Sequence, residues 1–245
     1  MYFSEVNNDN LVNIQSSIIN EIEQIKVFEN AAQKYMSILY ENFSESIALC
    51  RLFATVPFKS LPASSKEFVS NLLKSRKLFS SLKNDTPILT LLGSRGIEEK
   101  WNDIRQSKGH IGIPLISSGF ISEIPMVSRL LKELGLDLRW IDSRDTDIVI
   151  KTIGRSSGVF YVKDAAKDMD SEGRKIITSQ DFVSQYNIKT VFGFGGGYLG
   201  SDMMFTVIAF CSEQVSPDNV RKFLVQANKF KTATLSIVDS EKIFI

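Results

Sequence analysis

Thr190–Ser212, TVFGFGGGYLGSDMMFTVIAFCS, is the stretch whose reading decides the fold. Val191, Phe192 and Phe194 form one apolar run, and Phe205, Val207, Ile208, Ala209 and Phe210 form a second. Gly195, Gly196, Gly197, Gly200, Ser201 and Asp202 lie between them. Apolar β-formers on either side of a Gly/Asp-rich break predict a hairpin with its turn in the glycine run. Strands apolar on both faces are expected to be central and covered on both sides.

The chain around this hairpin has 245 residues, 43% of them hydrophobic and 23% charged, with a formal net charge of +1. That is the composition of a soluble globular protein long enough to bury a substantial core. A net charge so small gives no support for broad binding to nucleic acid or an anionic membrane, and neither partner is expected. No apolar run approaches the ~20 residues that span a bilayer. The N-terminus, MYFSEVNNDN, lacks the basic-then-apolar pattern of a secretory signal, so a cytoplasmic location is expected. Cys50 and Cys211 sit in apolar stretches, without CxxC or Cys/His spacing, and read as buried reduced thiols.

Upstream, residues 9–43 read as one helix. Leu11, Ile14, Ile18, Ile22, Ile25, Phe28, Ala32, Tyr35 and Leu39 recur in steps of three or four and form one stripe. The stripe packs either on the helix's own domain or on a second copy as a homodimer; Asn13, Ser17, Asn20 and Asn30 weaken a long zipper. We read residues 1–45 as an N-terminal helical arm and 46–245 as one domain. Residues 46–56, SIALCRLFATV, read as a strand in which Arg51 is either solvated or paired. Ser64–Phe79 reads as a helix opened by a capping box, Ser64 with Glu67. Pro87–Leu92 reads as a buried strand ending in the polar loop Gly93–Gly96.

The segment that follows, Glu98–Leu115, is EEKWNDIRQSKGHIGIPL. Trp101, Asn102, Asp103, Arg105, Ser107, Lys108 and the one histidine, His110, fall within ten residues of it. Polar loops that follow a strand end are common binding positions. Ser118–Leu134 reads as a helix carrying Pro125, which suits a first helical position if the helix starts near Ile124. Leu136–Ile141, Ile148–Ile153 and Val159–Val162 read as strands, with Asp142–Asp147 a charged turn between the first two. Asp164–Lys175 reads as an exposed loop, Ser179–Tyr186 as a short helix and Pro217–Phe230 as a helix with Pro217 at its first position. Thr232–Val238 fits a strand or a helical continuation equally. The fold class is α/β (α+β): an antiparallel sheet flanked by helices, with the helical arm in front.

FVSQYNIKTVFGFGGGYLGSDMMFTVIAFCSEQVSPDNVRKFLVQA resembles the C-terminal half of a GAF domain, in which a helix, a strand, a turn, a strand and a packing helix follow one another. The resemblance implies a GAF-like sheet and a sensory role. LTLLGSRGIEEKWNDIRQSKGHIGIPL and ISEIPMVSRLLKELGLDL are similar to an N-terminal region of bacterial multidomain signalling proteins such as sensor histidine kinases, with the pattern LLGTRG…WN…RRSKGH…IPL…GFGG. Gly93, Arg95, Gly96, Trp101, Asn102, Arg105, Ser107, Lys108, His110, Pro125, Met126 and Gln180 are among the matching positions. This second resemblance implies signalling through a partner protein, or a chain that is a piece of something longer.

Arg95, Arg105 and Lys108, set around Asn102 and Ser107, are candidates to hold an anion through the guanidinium fork; a solvated surface balanced by Glu98, Glu99 and Asp103 is the plainer alternative. His110 reads as a loop histidine, a ligand contact or a haem ligand, and no motif supplies the partners of a zinc site. Gly193, Gly195, Gly196 and Gly197 precede a strand rather than a helix, which excludes the dinucleotide fingerprint. No GxSxG occurs, and although some GAF-like proteins reduce substrates with cysteines, Cys50 and Cys211 lack suggestive spacing, and only the fold could bring them together. The expectation is therefore a non-catalytic sensory domain. A small anionic ligand would sit against the sheet between the Arg95–His110 loop and Gln180, with Trp101 and Phe194 as apolar walls. Two alternatives are a haem-based gas or redox sensor ligated by His110, and a structural interaction module with an interface along Ile14, Ile18, Ile22 and Ile25.

Overall fold

The computed structural model describes residues 1–107, 109–143 and 151–245. Six strands, β1 (Ile47–Pro57), β2 (Pro87–Gly96), β3 (Gly112–Pro114), β4 (Ser157–Val162), β5 (Thr190–Gly197) and β6 (Met204–Cys211), form one sheet in the order β3-β2-β1-β6-β5-β4. Every neighbouring pair is antiparallel. Helices with both ends among the described residues are α1 (Asn8–Ile22), α2 (Phe28–Phe43), α3 (Ala63–Ser75), α4 (Ser118–Ser122), α5 (Pro125–Glu133), α6 (Gln180–Gln185), α7 (Pro217–Arg221) and α8 (Leu224–Asp239). This is the α/β arrangement, an antiparallel sheet flanked by helices, that the GAF resemblance implied.

The hairpin pairs Thr190 with Cys211 through to Gly197 with Met204, and every residue of β5 is buried. Its turn is shorter than expected. Gly195–Gly197 continue the ladder, and the turn falls at 198–203, where Gly200 takes φ +81. The glycines serve close approach rather than turning: a Cβ on Gly197 would run into the carbonyl oxygen of Ile153.

Because side chains alternate along a strand, the sheet has two distinct faces. Cys50, Phe194 and Phe205 look toward the terminal helices: the Cys50 Sγ lies 3.7 Å from the Met36 carbonyl, Phe194 is 5.5 Å from Phe223, and Phe205 is 4.9 Å from Phe230. Leu49, Arg51, Phe53, Ile208 and Phe210 look the other way, toward α5, α6 and the loop after β2.

The expected helix 9–43 is two helices, α1 and α2, separated at 23–27. Asn7 and Asn10 cap the start of α1 reciprocally. The stripe Leu11, Ile14, Ile18, Ile22, Phe28, Tyr35 and Leu39 is buried within the chain, with Tyr35 stacked 4.6 Å from Phe230 on α8. The start of α2 is held by the chain's last residues: the N–H groups of Phe28 and Glu29 donate to the carbonyls of Lys242 and Ile243, each at 2.9 Å.

Other elements correct the sequence reading. Helix α3 begins at Ala63 behind Pro62 with no side-chain cap, so the Ser64/Glu67 box does not form. The helix expected over 118–134 breaks into α4 and α5, with Pro125 in the first turn of α5. In place of the strand expected over Leu136–Ile141 there is a 3₁₀ turn at Leu138–Asp142, because the Asp137 carboxylate accepts from the Arg139 N–H and closes the backbone there. Of the strand expected over 148–153, residues 148–150 lie outside the described residues and 151–153 are helical; most of the charged turn before it also lies outside. Thr232–Val238 continues α8. Among the described residues, no helix is long and apolar enough to cross a membrane.

Candidate functional site

On the second face the sheet and α5 enclose a cavity of about 240 Å³. Its floor is Leu49, Arg51 and Phe53 from β1 with Ile208 and Phe210 from β6. Met126 and Leu130 of α5 lie over it, and Trp101 and His110 stand at one side with Phe182 of α6.

Arg51 is the chemical centre of this floor. It pairs in register with Ser94 on β2 and Ile208 on β6, so it projects from the middle of the sheet. Its Nε is buried and has no hydrogen-bond partner among the described residues. Among the described residues lining the cavity there is no aspartate or glutamate. Burial lowers the guanidinium's pKa, but an arginine stays charged in proteins. An apolar cavity thus contains one partly desolvated, uncompensated cation.

His110 stands at the rim in a left-handed conformation, φ +54. Gly109 before it is held by the Ser107 hydroxyl, which donates to the Gly109 carbonyl at 2.9 Å. Burial, and then the charge of Arg51, lower the imidazole's pKa from its usual value. Although His110 is exposed at the rim, both effects favour the neutral ring, which offers one donor and one acceptor nitrogen.

Trp101 is placed by β2. The Asn102 carboxamide accepts from the Gly96 N–H at 2.9 Å and folds the loop back on the strand end. Gly96 is needed there, since a Cβ would come within 2.8 Å of Trp101 Cε3. The indole meets Phe182 at 5.7 Å and Tyr186 at 4.8 Å, and the Tyr186 hydroxyl donates to Glu98 at 3.1 Å. An aromatic wall thus closes that side of the cavity.

The structure brings only part of the expected site together. Trp101 and His110 line the cavity. Asn102 and Ser107 brace the loop, and Gln180 braces the segment before α6, donating to the carbonyls of Ala165 at 3.1 Å and Ile177 at 2.6 Å. Arg105 points away to Glu29 of α2, at 2.9 Å. Arg95 pairs in register with Cys50 and shares its face, toward α2. Phe194 lies on that same opposite face, among Phe192 and Phe223. Lys108 lies outside the described residues. Of the cations it is Arg51 that lines the cavity: it is partly exposed, its Nε is buried without a hydrogen-bond partner among the described residues, and its position two residues from Leu49 and from Phe53 was the available signal.

Neither cysteine is poised for chemistry as it stands. Burial pushes the Cys50 thiol up to about 12 and the Cys211 thiol well above its ordinary value. No group of three or more His, Cys, Asp or Glu side chains that could hold a metal ion occurs among the described residues. At about 240 Å³ the cavity is smaller than the ~300 Å³ at which pockets for drug-sized ligands and cofactors typically begin, which favours a small occupant over haem.

No family model matches the sequence, and no curated protein does. Among solved structures, the chain is similar to the free methionine-R-sulfoxide reductase of Neisseria meningitidis in complex with its substrate, with a TM-score of 0.51, 9% identity and 98% of each chain covered. It also aligns with the phycoerythrobilin-bound GAF domain of a cyanobacterial phytochrome, with a TM-score of 0.49, 11% identity, and 97% and 99% of the two chains covered. At these identities the reductase likeness shows the fold alone. It nevertheless corrects one expectation. The sequence expectation of a non-catalytic domain does not hold for this architecture as such, since the reductase is an enzyme and the alignment covers 98% of each chain.

Proposed function

We propose that this chain is a regulatory, sensor-type domain that takes a small organic ligand into the cavity between the sheet and α5. The observation that carries the reading is an apolar cavity whose one charged floor group, Arg51, has its buried Nε without a hydrogen-bond partner among the described residues. Ligand pockets combine apolar walls with a few placed polar groups in this way.

A route outward from the site supports the regulatory part. The loop bearing Trp101 and His110 is tied through Arg105 to Glu29, and the N–H of Glu29 holds Ile243. Ligand that shifts the loop therefore biases the packing of α2 and the C-terminal segment, which a partner protein reads.

The test is native mass spectrometry of protein purified from cells, beside Leu130→Trp, which fills the cavity. A small molecule retained by the wild type and lost from the variant is the expected result. Hydrogen exchange at Phe28, Glu29 and Ile243 should change when that molecule is stripped. Retention unaffected by Leu130→Trp would place the ligand elsewhere and end this reading.

A further inference from the structure

We propose that the cavity's ligand is an amphipathic monoanion: a carboxylate-type head received by Arg51 and an apolar body of about ten heavy atoms. The inference rests on the ligand-binding reading above and names the class of molecule that site takes.

Charge comes first. Among the described residues, Arg51 has no hydrogen bond or ion pair, and no acidic side chain lines the cavity. A cation removed from water without a counter-charge is costly, and an anion with acceptor oxygens offsets that cost directly. The guanidinium offers parallel N–H donors at the spacing of two oxygens on one carbon or phosphorus.

Directly across the strand pair, the Ser94 hydroxyl is also buried and without a partner. Cross-strand neighbours have Cβ atoms roughly 4.5–5.5 Å apart, so two orphaned donors lie side by side in the sheet. Ser94 does not itself line the cavity, so of the two it is the guanidinium that meets the ligand.

A single charge suffices. His110, the one other basic residue type lining the cavity, stands at its exposed rim with its charged form disfavoured, so it supplies a hydrogen-bond donor rather than a second buried counter-charge. A head with two charges would leave one buried and unpaired. Around Arg51, Phe53 and Phe210 on the floor and Met126 and Leu130 above it offer no hydrogen bonds and ask for hydrocarbon.

Size follows from volume. A cavity of ~150 Å³ accommodates a benzene-sized ligand of about six carbons. Scaled to 240 Å³, the occupant has about ten heavy atoms. Medium-chain fatty acids and short arylalkanoic acids have that size and polarity.

The experiment is calorimetric titration of the full chain with two isosteric pairs, octanoate with octanamide and phenylacetate with phenylacetamide. Each carboxylate should bind at least tenfold more tightly than its amide. Arg51→Met should remove that preference while the amide still binds, and Arg51→Lys should keep part of it. Circular dichroism checks that both variants fold. Equal binding of acid and amide, or a preference surviving in Arg51→Met, overturns the anion assignment and leaves the ligand-binding reading standing. If neither member of either pair binds the wild type, the assignment is overturned together with the cavity as this ligand's site.

Discussion

Arg105 Nη2 lies 2.9 Å from Glu29 Oε1, and that contact joins the loop after β2 to the first turn of α2. Glu29 is only 7% exposed, while Arg105 reaches it from a largely exposed position. An acidic residue in a first turn is also favoured by the helix dipole.

Removing the arginine should therefore cost stability through the acid it leaves behind. Arg105→Met is expected to lose about 1–2 kcal/mol, less than the ~3–5 kcal/mol of a fully buried pair because solvent reaches the guanidinium. Adding Glu29→Gln should recover part of the loss. A double-mutant cycle from urea midpoints measures the coupling, and a coupling near zero would mean that the pair does not anchor the loop.

Arg51 should behave in the opposite sense. With no ligand present, Arg51→Met replaces an unpartnered cation by an apolar chain of similar reach. The empty protein is expected to gain about 1 kcal/mol, because the desolvation penalty disappears and no protein contact is lost. Urea unfolding of stripped protein checks this. A clear loss would show that the guanidinium has a stabilising partner when the cavity is empty.

His110 gives stability a definite pH dependence. The unfolded imidazole titrates near ~6.5, and the folded one lower, because burial and then Arg51 oppose its charge. Between the two values the unfolded chain binds more protons, so stability rises with pH. The contribution is complete above about pH 6.5 and is lost as pH falls through the folded value. His110→Asn, chosen because asparagine tolerates φ +54, should flatten the slope of unfolding free energy from there downward. An unchanged slope assigns the dependence to carboxylates.

The two thiols should be silent in the native state. Thiolate is the reactive species, and burial holds Cys50 and Cys211 far from forming it. A disulfide reagent such as DTNB should label neither at pH 8 until denaturant is added. Rapid labelling of one thiol in native protein would show that its element opens readily.

The sheet was legible because its strands are written in local code. TVFGFGGG and MFTVIAFC declare themselves by β-formers and spacing, and IALCRLFATV does so despite its arginine. The arm was half legible: the three-and-four steps continue across 23–27, so periodicity alone could not reveal that the chain breaks there and folds α2 back onto the sheet. The site was legible where a loop carried it, at Trp101 and His110. It was illegible where faces decided it. Arg95 and Phe194 are sequence neighbours of cavity-side positions, but alternation along β2 and β5 sends them to the opposite face. Arg51 needed the same rule applied the other way, together with the knowledge that Leu49 and Phe53 face a cavity rather than packed core.

Trp101 has a further use. The chain has two tryptophans, and the other, Trp140, is buried away from the cavity lining. Trp140→Phe would leave one indole emitter at the site's wall, edge-on to Phe182 and Tyr186. A molecule entering beside it changes the polarity and quenching it experiences, so occupancy can be followed by emission wavelength and lifetime without a dye or tag.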